Sequence, residues 1–347
     1  MFKRSNKFDL KYISESRTIL LGVAILIVAI HHSYSLNFSN LINITPISNI
    51  LNFIQKIVDF GVDIFLFLSG IGLYFSLSKN NLKTFYKNRF TRILPELILI
   101  TLIFNIITKS MTIPEFLERI FFIGFFIKGK KADWFLAFIM LLYLIFPLIY
   151  KIIKKYNLDG LIISLFTVVL FNLIYSVVFP LSYNKIEIAL TRIPIFLFGV
   201  FFGKKIYEKT KISSTMIIIS ILTQILVTLI LYQNQYLGNF RIFTRYLYCP
   251  LAITTIINLS FIYSILKNKD RLIIKLLKLL GPYSLEVYLI YEKSNLLLKN
   301  ILPIKSSIIY YSISFTLTIL LAHILKKLIN IIMNKISILK PKIITNE

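Results

Sequence analysis

Arg17-Thr-Ile-Leu-Leu-Gly-Val-Ala-Ile-Leu-Ile-Val-Ala-Ile-His-His32 carries no formal charge between its opening arginine and its closing pair of histidines. Such a run predicts a helix over about 18–38, and about 20 residues of apolar helix are enough to cross a bilayer core. The rest of the 347 residues has the same character: 57% apolar, 16% charged and a mean hydropathy of +0.77. A soluble domain keeps about a quarter of its residues charged, so that class is excluded. The 30 Phe and 20 Tyr exclude disorder, and the single cysteine, Cys249, excludes a disulfide framework. The expectation is an all-α, polytopic membrane protein.

Working outward from the first run, the apolar segments suggest about ten transmembrane helices: 18–38, 54–78, 92–110, 133–152, 160–179, 187–203, 214–232, 246–266, 275–298 and 306–331. The ninth is the weakest, since it holds Lys275, Lys278, Glu286, Glu292 and Lys293. Ile113 to Ile127, with Glu115, Glu118 and Arg119 among apolar residues, reads as an interfacial helix rather than a crossing. Ten crossings leave no room for a soluble domain, so residues 1–347 are expected to form one integral-membrane unit. The first apolar run is too long for a signal-peptide core and reads as a retained helix. Neither an internal repeat nor a linker is evident.

The charge is strongly basic, 40 Lys and Arg against 15 Asp and Glu. In a membrane protein such residues gather in cytoplasmic loops. With the N-terminus inside, 27 of the 40 fall on the cytoplasmic side, in the segments around Lys11, Lys83, Lys154, Lys205, Lys269 and Lys327. An even number of crossings with both termini cytoplasmic follows, in a multi-pass protein of the cell membrane. The net +25 then needs no nucleic acid to explain it.

A titratable side chain inside a span is costly and is a functional candidate by default. His31 and His32 close the first span, Asp63 opens the second, and Glu96, Arg192, Glu286 and His323 lie in later ones. Along a helix His32 sits about 60° round from Arg17 and about 22 Å away, which puts the arginine near one membrane surface and the histidines well across. A pair of histidines serves equally to hydrogen-bond neighbouring helices. Arg89 and Arg92, at i and i+3, share a helix face and suit a phosphate, although plain anchoring at a cytoplasmic surface accounts for them as well. No P-loop, GxGxxG, HExxH, nucleophile elbow or Cys/His metal cluster appears, so no metal is expected.

Six segments in order resemble acyltransferase family 3, the integral-membrane O-acyltransferases of surface polysaccharides. They are Gly22-Val-Ala-Ile-Leu-Ile-Val-Ala-Ile-His-His32, Gly61-Val-Asp-Ile-Phe-Leu-Phe-Leu-Ser-Gly70, Phe85-Tyr-Lys-Asn-Arg-Phe-Thr-Arg-Ile-Leu-Pro95, Trp134-Phe-Leu with Leu142-Tyr-Leu-Ile-Phe-Pro147, Arg192-Ile-Pro-Ile-Phe-Leu-Phe-Gly199 and Tyr283-Ser-Leu-Glu-Val-Tyr-Leu289. The resemblance covers most of the chain and is specific to the family, not to a substrate. Two positions depart from it. Leu21 stands where members commonly carry a basic residue, with Arg17 one turn earlier, and Tyr291 stands where many carry a histidine.

The resemblance implies transfer of an acyl group, usually acetyl, from acyl-CoA to a sugar hydroxyl of a cell-envelope glycan or a lipid-linked sugar. It implies His32, Asp63 and Glu286 as catalytic residues, and Arg89, Arg92, Arg17 and Ser69 as the binding set for the acyl-CoA donor. The partners expected are the lipid bilayer, acyl-CoA and the sugar acceptor. The competing class is a polysaccharide or small-solute transporter or flippase. Such proteins show repeated halves with broken helices at matching positions, and Pro95, Pro147, Pro194, Pro250 and Pro282 do not pair by halves.

Overall fold

The structure, a computed structural model, describes residues 7–33, 45–108, 111–132, 134–234, 241–269, 271–301 and 307–338. It is a helical bundle with a single two-stranded ribbon among these residues. Chain order is β1 (Lys7–Asp9), α1 (Lys11–Glu15), α2 (Arg17–His31), α3 (Thr45–Ile57), α4 (Gly61–Lys79), α5 (Leu82–Thr108), α6 (Ile113–Ile120), α7 (Ile123–Phe126) and α8 (Trp134–Val178). Then come α9 (Pro180–Leu190), α10 (Ile193–Tyr207), β2 (Lys211–Ser213), α11 (Ser214–Asn234), α12 (Arg241–Leu266), α13 (Leu272–Leu280), α14 (Ser284–Ile301) and α15 (Ser307–Ile338).

Seven helices among the described residues are long and apolar enough to cross a membrane: Ile47–Lys79, Leu82–Thr108, Trp134–Val178, Pro180–Tyr207, Ser214–Asn234, Arg241–Leu266 and Ile309–Lys335. The apolar helix Arg17–His31 is shorter. α8 is 45 residues long and breaks at Asn157, whose φ of 53° is left-handed. Its two arms therefore correspond to the fourth and fifth runs read from the sequence. The ninth run is divided into α13 and α14 by a 3-10 turn at Gly281–Tyr283. The first run is helical only to His31, and its expected continuation from 34 to 38 lies outside the described residues. The amphipathic stretch after 112 forms α6 and α7, of 8 and 4 residues, both too short to cross. α6 starts on a capping box in which the Thr112 amide donates to Glu115 Oε2 at 2.8 Å.

α4 is the axis of the bundle. Asp63 to Leu68 are all buried, with Ile64, Leu66 and Phe67 at 0% exposure. Its neighbour α10 runs parallel to it and comes close enough for backbones to touch. A Cβ at Gly70 would lie 2.7 Å from the Phe196 carbonyl oxygen, and one at Gly199 would strike the Phe67 carbonyl. Gly199 and Gly203 are four apart, the small-residue spacing that lets helices pack closely where lipid supplies no hydrophobic drive. Around this core Phe166, Leu173 and Val177 of α8 and Ile218, Leu222 and Leu226 of α11 are exposed. An apolar belt of this extent belongs against hydrocarbon.

The basic segments gather at one end. β1 pairs antiparallel with β2, Phe8 opposite Ile212. Lys204 Nζ donates to the carbonyls of Ile153 and Lys154 at 3.2 and 3.0 Å, and Ser78 Oγ meets Tyr150 OH at 3.2 Å. Lys267 approaches Glu15 at 3.9 Å, while α15 descends to put Lys326 beside the Pro282 carbonyl. This is the Arg17 end of α2, and His32 marks the opposite end.

Replacing Gly199 by Val is expected to cost about 1–3 kcal/mol, the usual range for an overpacked contact. In detergent micelles Gly199→Val should unfold at lower temperature than wild type, whereas Val177→Leu on the exposed belt should not. Equal stability of Gly199→Val would show that the α4–α10 contact is not close-packed.

Candidate active site

α2 carries a polar residue at each end, and each faces a cavity. At the Arg17 end is a small one of about 70 Å³, lined by Arg17, Ser69, Arg89, Arg92 and Tyr143 with Leu21, Phe65, Phe135 and Tyr288. That is room for a few water molecules or one phosphate-sized group. The three guanidinium groups cluster around the Tyr143 hydroxyl, which Arg89 meets in a hydrogen bond. No carboxylate lines this cavity among the described residues. Arg17 reaches across to α4, where a Cβ at Gly72 would lie 2.7 Å from its Nη1. The four residues expected to bind the donor are thus brought together, and Arg17 shares the cavity wall with Leu21. Tyr143 was missed, because in a sequence it reads as one more aromatic of an apolar span.

At the other end lies a cavity of about 880 Å³, lined among others by His31, His32, Asp59, Lys131, Trp134, Arg241, Arg245, Tyr248 and Tyr291. The two imidazoles stand edge to face with centroids 5.4 Å apart. His31 Nε2 lies 3.8 Å from Asp59 Oδ1. Tyr291, at the position where the family resemblance led one to look for a histidine, meets Ser33 Oγ at 3.4 Å. Tyr288 lines both cavities, whereas Phe65 and Phe135 line the small one. Phe135 packs between the other two, 6.1 Å from Phe65 and 5.2 Å from Tyr288.

Beneath the histidines is a buried charge cluster. Arg192, 1% exposed, donates from Nη2 to Asp59 Oδ2 at 2.7 Å and from Nε to Asp63 Oδ2 at 3.1 Å. Its third contact is Nη1 to the Ile188 carbonyl at 3.1 Å, and its plane stacks on Trp134 and Tyr248 with centroids 5.1 and 5.8 Å away. Asp63 therefore reaches neither histidine and lines neither cavity. It holds Arg192, which in turn holds Asp59 opposite His31. Asp59 is the carboxylate the sequence did not single out; it lies near the start of the second run, 54–78, just before Phe60-Gly61.

Glu286 also lies away from the histidines, at the Arg17 end of α14, where its Oε1 pairs with Lys326 Nζ at 3.0 Å. Glu96 is near it, and Glu96 in turn has Arg92 and Lys326 as charged neighbours. The remaining intramembrane histidine, His323, accepts or donates at Nδ1 to Tyr283 OH at 2.9 Å at that same end.

The rim of the large cavity is basic. Glu187, 4% exposed, pairs with Arg245 and lies 3.7 Å from Arg241 Nε. Lys131, in the turn before α8, has its pKa lowered by desolvation and by Arg241 and Arg245 nearby.

A helical membrane protein with a histidine-bearing cavity and an arginine pocket on one shared axis is the class that fold and site define. A family model described as an acyltransferase domain matches residues 19–327, nearly the whole chain. The chain belongs to acyltransferase family 3, and it is a membrane acyltransferase that transfers groups other than amino-acyl groups. No curated protein and no solved structure matches it.

Removing Arg192 strands two carboxylates, and breaking a buried pair from one side costs about 3–5 kcal/mol. Arg192→Met should lower the unfolding temperature sharply in micelles. Arg192→Met with Asp63→Asn should recover part of the loss, and no recovery would mean that Asp63 is not held by Arg192.

Proposed function

We propose that this protein is an O-acyltransferase that takes an acetyl-sized acyl group from acyl-CoA at the cytoplasmic face and places it on a sugar hydroxyl of a cell-envelope glycan or its lipid-linked precursor. The observation that carries this reading is the pair of cavities on α2, one arginine-lined and one histidine-bearing, with Tyr288 common to both. Three guanidinium groups without a lining carboxylate suit the phosphates of CoA, which they grip by forked, charge-assisted hydrogen bonds. The small cavity admits one such group, and the thioester arm extends past Phe65 and Phe135 toward the histidines.

His32 is the general base. Its neutral imidazole takes the proton of the acceptor hydroxyl, and the oxygen attacks the thioester carbonyl carbon. The carbon–sulfur bond breaks, the ester forms, and the proton taken by His32 passes to the departing CoA thiolate. Asp63 acts through Arg192 and Asp59 on the histidine pair, and Glu286 sets the helix surface at the donor end. A second reading is favoured by the 3.8 Å approach of Asp59 to His31: there His31, oriented by the carboxylate, is the base and His32 contacts the acceptor.

Ten crossings with both termini in the cytoplasm are part of this proposal. Six basic segments at the Arg17 end support it, because basic loops are retained on that side. A reporter active only outside the membrane, fused after Glu347, should be silent; activity there would reverse the orientation and exchange the donor and acceptor faces.

Loss of general-base assistance is worth about 10²–10⁴ in rate. His32→Ala should therefore cut kcat by at least 10²-fold, with His31→Ala milder; the reverse order would select the Asp59–His31 reading. Arg89→Ala and Arg92→Ala should raise the KM for acetyl-CoA instead. Mass spectrometry of envelope glycans supplies the wider test, since a deletion strain should lose the acetyl increment and regain it with wild type but not with His32→Ala. An unchanged glycan with altered export of a precursor would favour the transporter.

A further inference from the structure

The fold treats the arginines of the small cavity in the opposite way to Arg192. Arg192 has two aspartates as partners, Asp59 and Asp63. Arg17, Arg89 and Arg92 line one space of about 70 Å³ and make no ion pair among the described residues. Arg89 Nε is buried with no hydrogen-bond partner, although its guanidinium lies 5.8 Å from the centroid of the Phe85 ring and meets the Tyr143 hydroxyl. A guanidinium only donates, so Tyr143 accepts there and keeps its own O–H proton to give. Tyr143 is 6% exposed and lines the same cavity. A buried donor without an acceptor carries a desolvation cost, and like charges around one small space repel; an anion seated there relieves both.

We infer that this cavity recognises only the phosphopantetheine half of the donor, one phosphate and the arm attached to it, while the nucleotide half stays outside in the cytosol. Size, direction and lining agree on this. The space suits one phosphate-sized group, whereas pockets for drug-sized ligands run to about 300–1,000 Å³. Tyr288 is common to this cavity and the histidine cavity, so a thioester placed toward His32 leaves at the arginines the phosphate nearest to it. That is the phosphate esterified to pantetheine; the 3′-phosphate lies beyond the ribose, on the far side. The rest of the wall includes Leu73, Ile93, Ile139 and Leu285, which suits the methyl-bearing arm and offers a base little to bond beyond Ser69 and Ser284. Arg89 Nε and the Tyr143 O–H then both donate to the phosphate, which makes Tyr143 a binding residue for the donor. The inference rests on the acyl-CoA reading for the identity of the donor, and it adds which part of that donor is read.

The full-length protein in a neutral detergent would be titrated by calorimetry with CoA, 4′-phosphopantetheine, pantetheine and adenosine 3′,5′-bisphosphate, with no acceptor present. A hydrogen bond to a charged group is worth about 10–100-fold in affinity. 4′-Phosphopantetheine should therefore bind within about 10-fold of CoA, and pantetheine and the bisphosphate each about 100-fold or more weakly than CoA. Tyr143→Phe should weaken CoA and 4′-phosphopantetheine alike, by about 10-fold, and leave pantetheine unchanged. CoA binding about 100-fold more tightly than 4′-phosphopantetheine, or the bisphosphate binding as tightly as CoA, would overturn the inference and leave the acyl-CoA reading intact. So would Tyr143→Phe weakening pantetheine as much as CoA, since the tyrosine would then only shape the cavity. Should Tyr143→Phe fail to fold, the ranking of the four ligands on the wild-type protein decides. Failure of both CoA and 4′-phosphopantetheine to bind would overturn the donor reading itself, and the inference with it. The expected ranking without acetyl transfer to any glycan would support the inference and count against the proposed acceptor instead.

Discussion

Arg192 is the charge around which the bundle is arranged. A guanidinium enclosed among apolar helices carries a desolvation cost of several kcal/mol and is tolerated only when its donors are matched. Here the matching groups come from the segment entering α4, Asp59 and Asp63, and from the Ile188 carbonyl of α9. The pairing fixes where α4 begins against where α10 begins, four residues apart on one helix being met by a single side chain of the other. Once that level is set, Gly70 and Gly199 fall opposite the backbone atoms they must clear. The same pairing leaves one oxygen of Asp59 toward His31. Packing and site are therefore coupled through one side chain.

The helices were legible because length and composition decide them, although seven of the described ones, against ten runs read from the sequence, are long and apolar enough to cross a membrane. A lipid-facing helix needs little beyond an apolar run of sufficient length, and every predicted run contains helix in the structure. What could not be read was direction. Asp63 and Glu286 each stand out as carboxylates in a span, yet one turns to Arg192 and the other to Lys326, and neither faces a histidine. Hydrophobic period offers no guide on helices that are apolar all round, because no face is marked as the one that turns inward. Asn157 was hidden for a different reason. It bends α8 without a proline or glycine at the break, through a left-handed φ that Asn tolerates better than most residues.

Arg17 shows how far side-chain reach can carry a charge from its place in the sequence. A basic residue at Leu21 would stand one turn nearer the histidines. Arg17 starts lower but is long, and α4 presents Gly72 opposite it, where any larger residue would block the guanidinium. Its Nη atoms thus reach the same small cavity that Leu21 lines. A sequence comparison sees a missing residue, whereas the structure has the charge delivered from one turn away to a space left open on the facing helix.

The two cavities share Tyr288, against which Phe135 and then Phe65 pack, and the chemistry of the proposed transfer explains why aromatic rings would stand there. A thioester carried into a wet chamber is open to hydrolysis, so the path between an anion site and an acceptor chamber has to be dry until both substrates are present. Three packed rings exclude water, and one of them, Tyr288, shows its surface to both sides. Phe65 stands on α4, which the Arg192 pairing and the glycine contacts with α10 hold in place, while Phe135 and Tyr288 come from α8 and α14. The barrier between donor and acceptor is thus assembled from three helices, of which one belongs to the close-packed core.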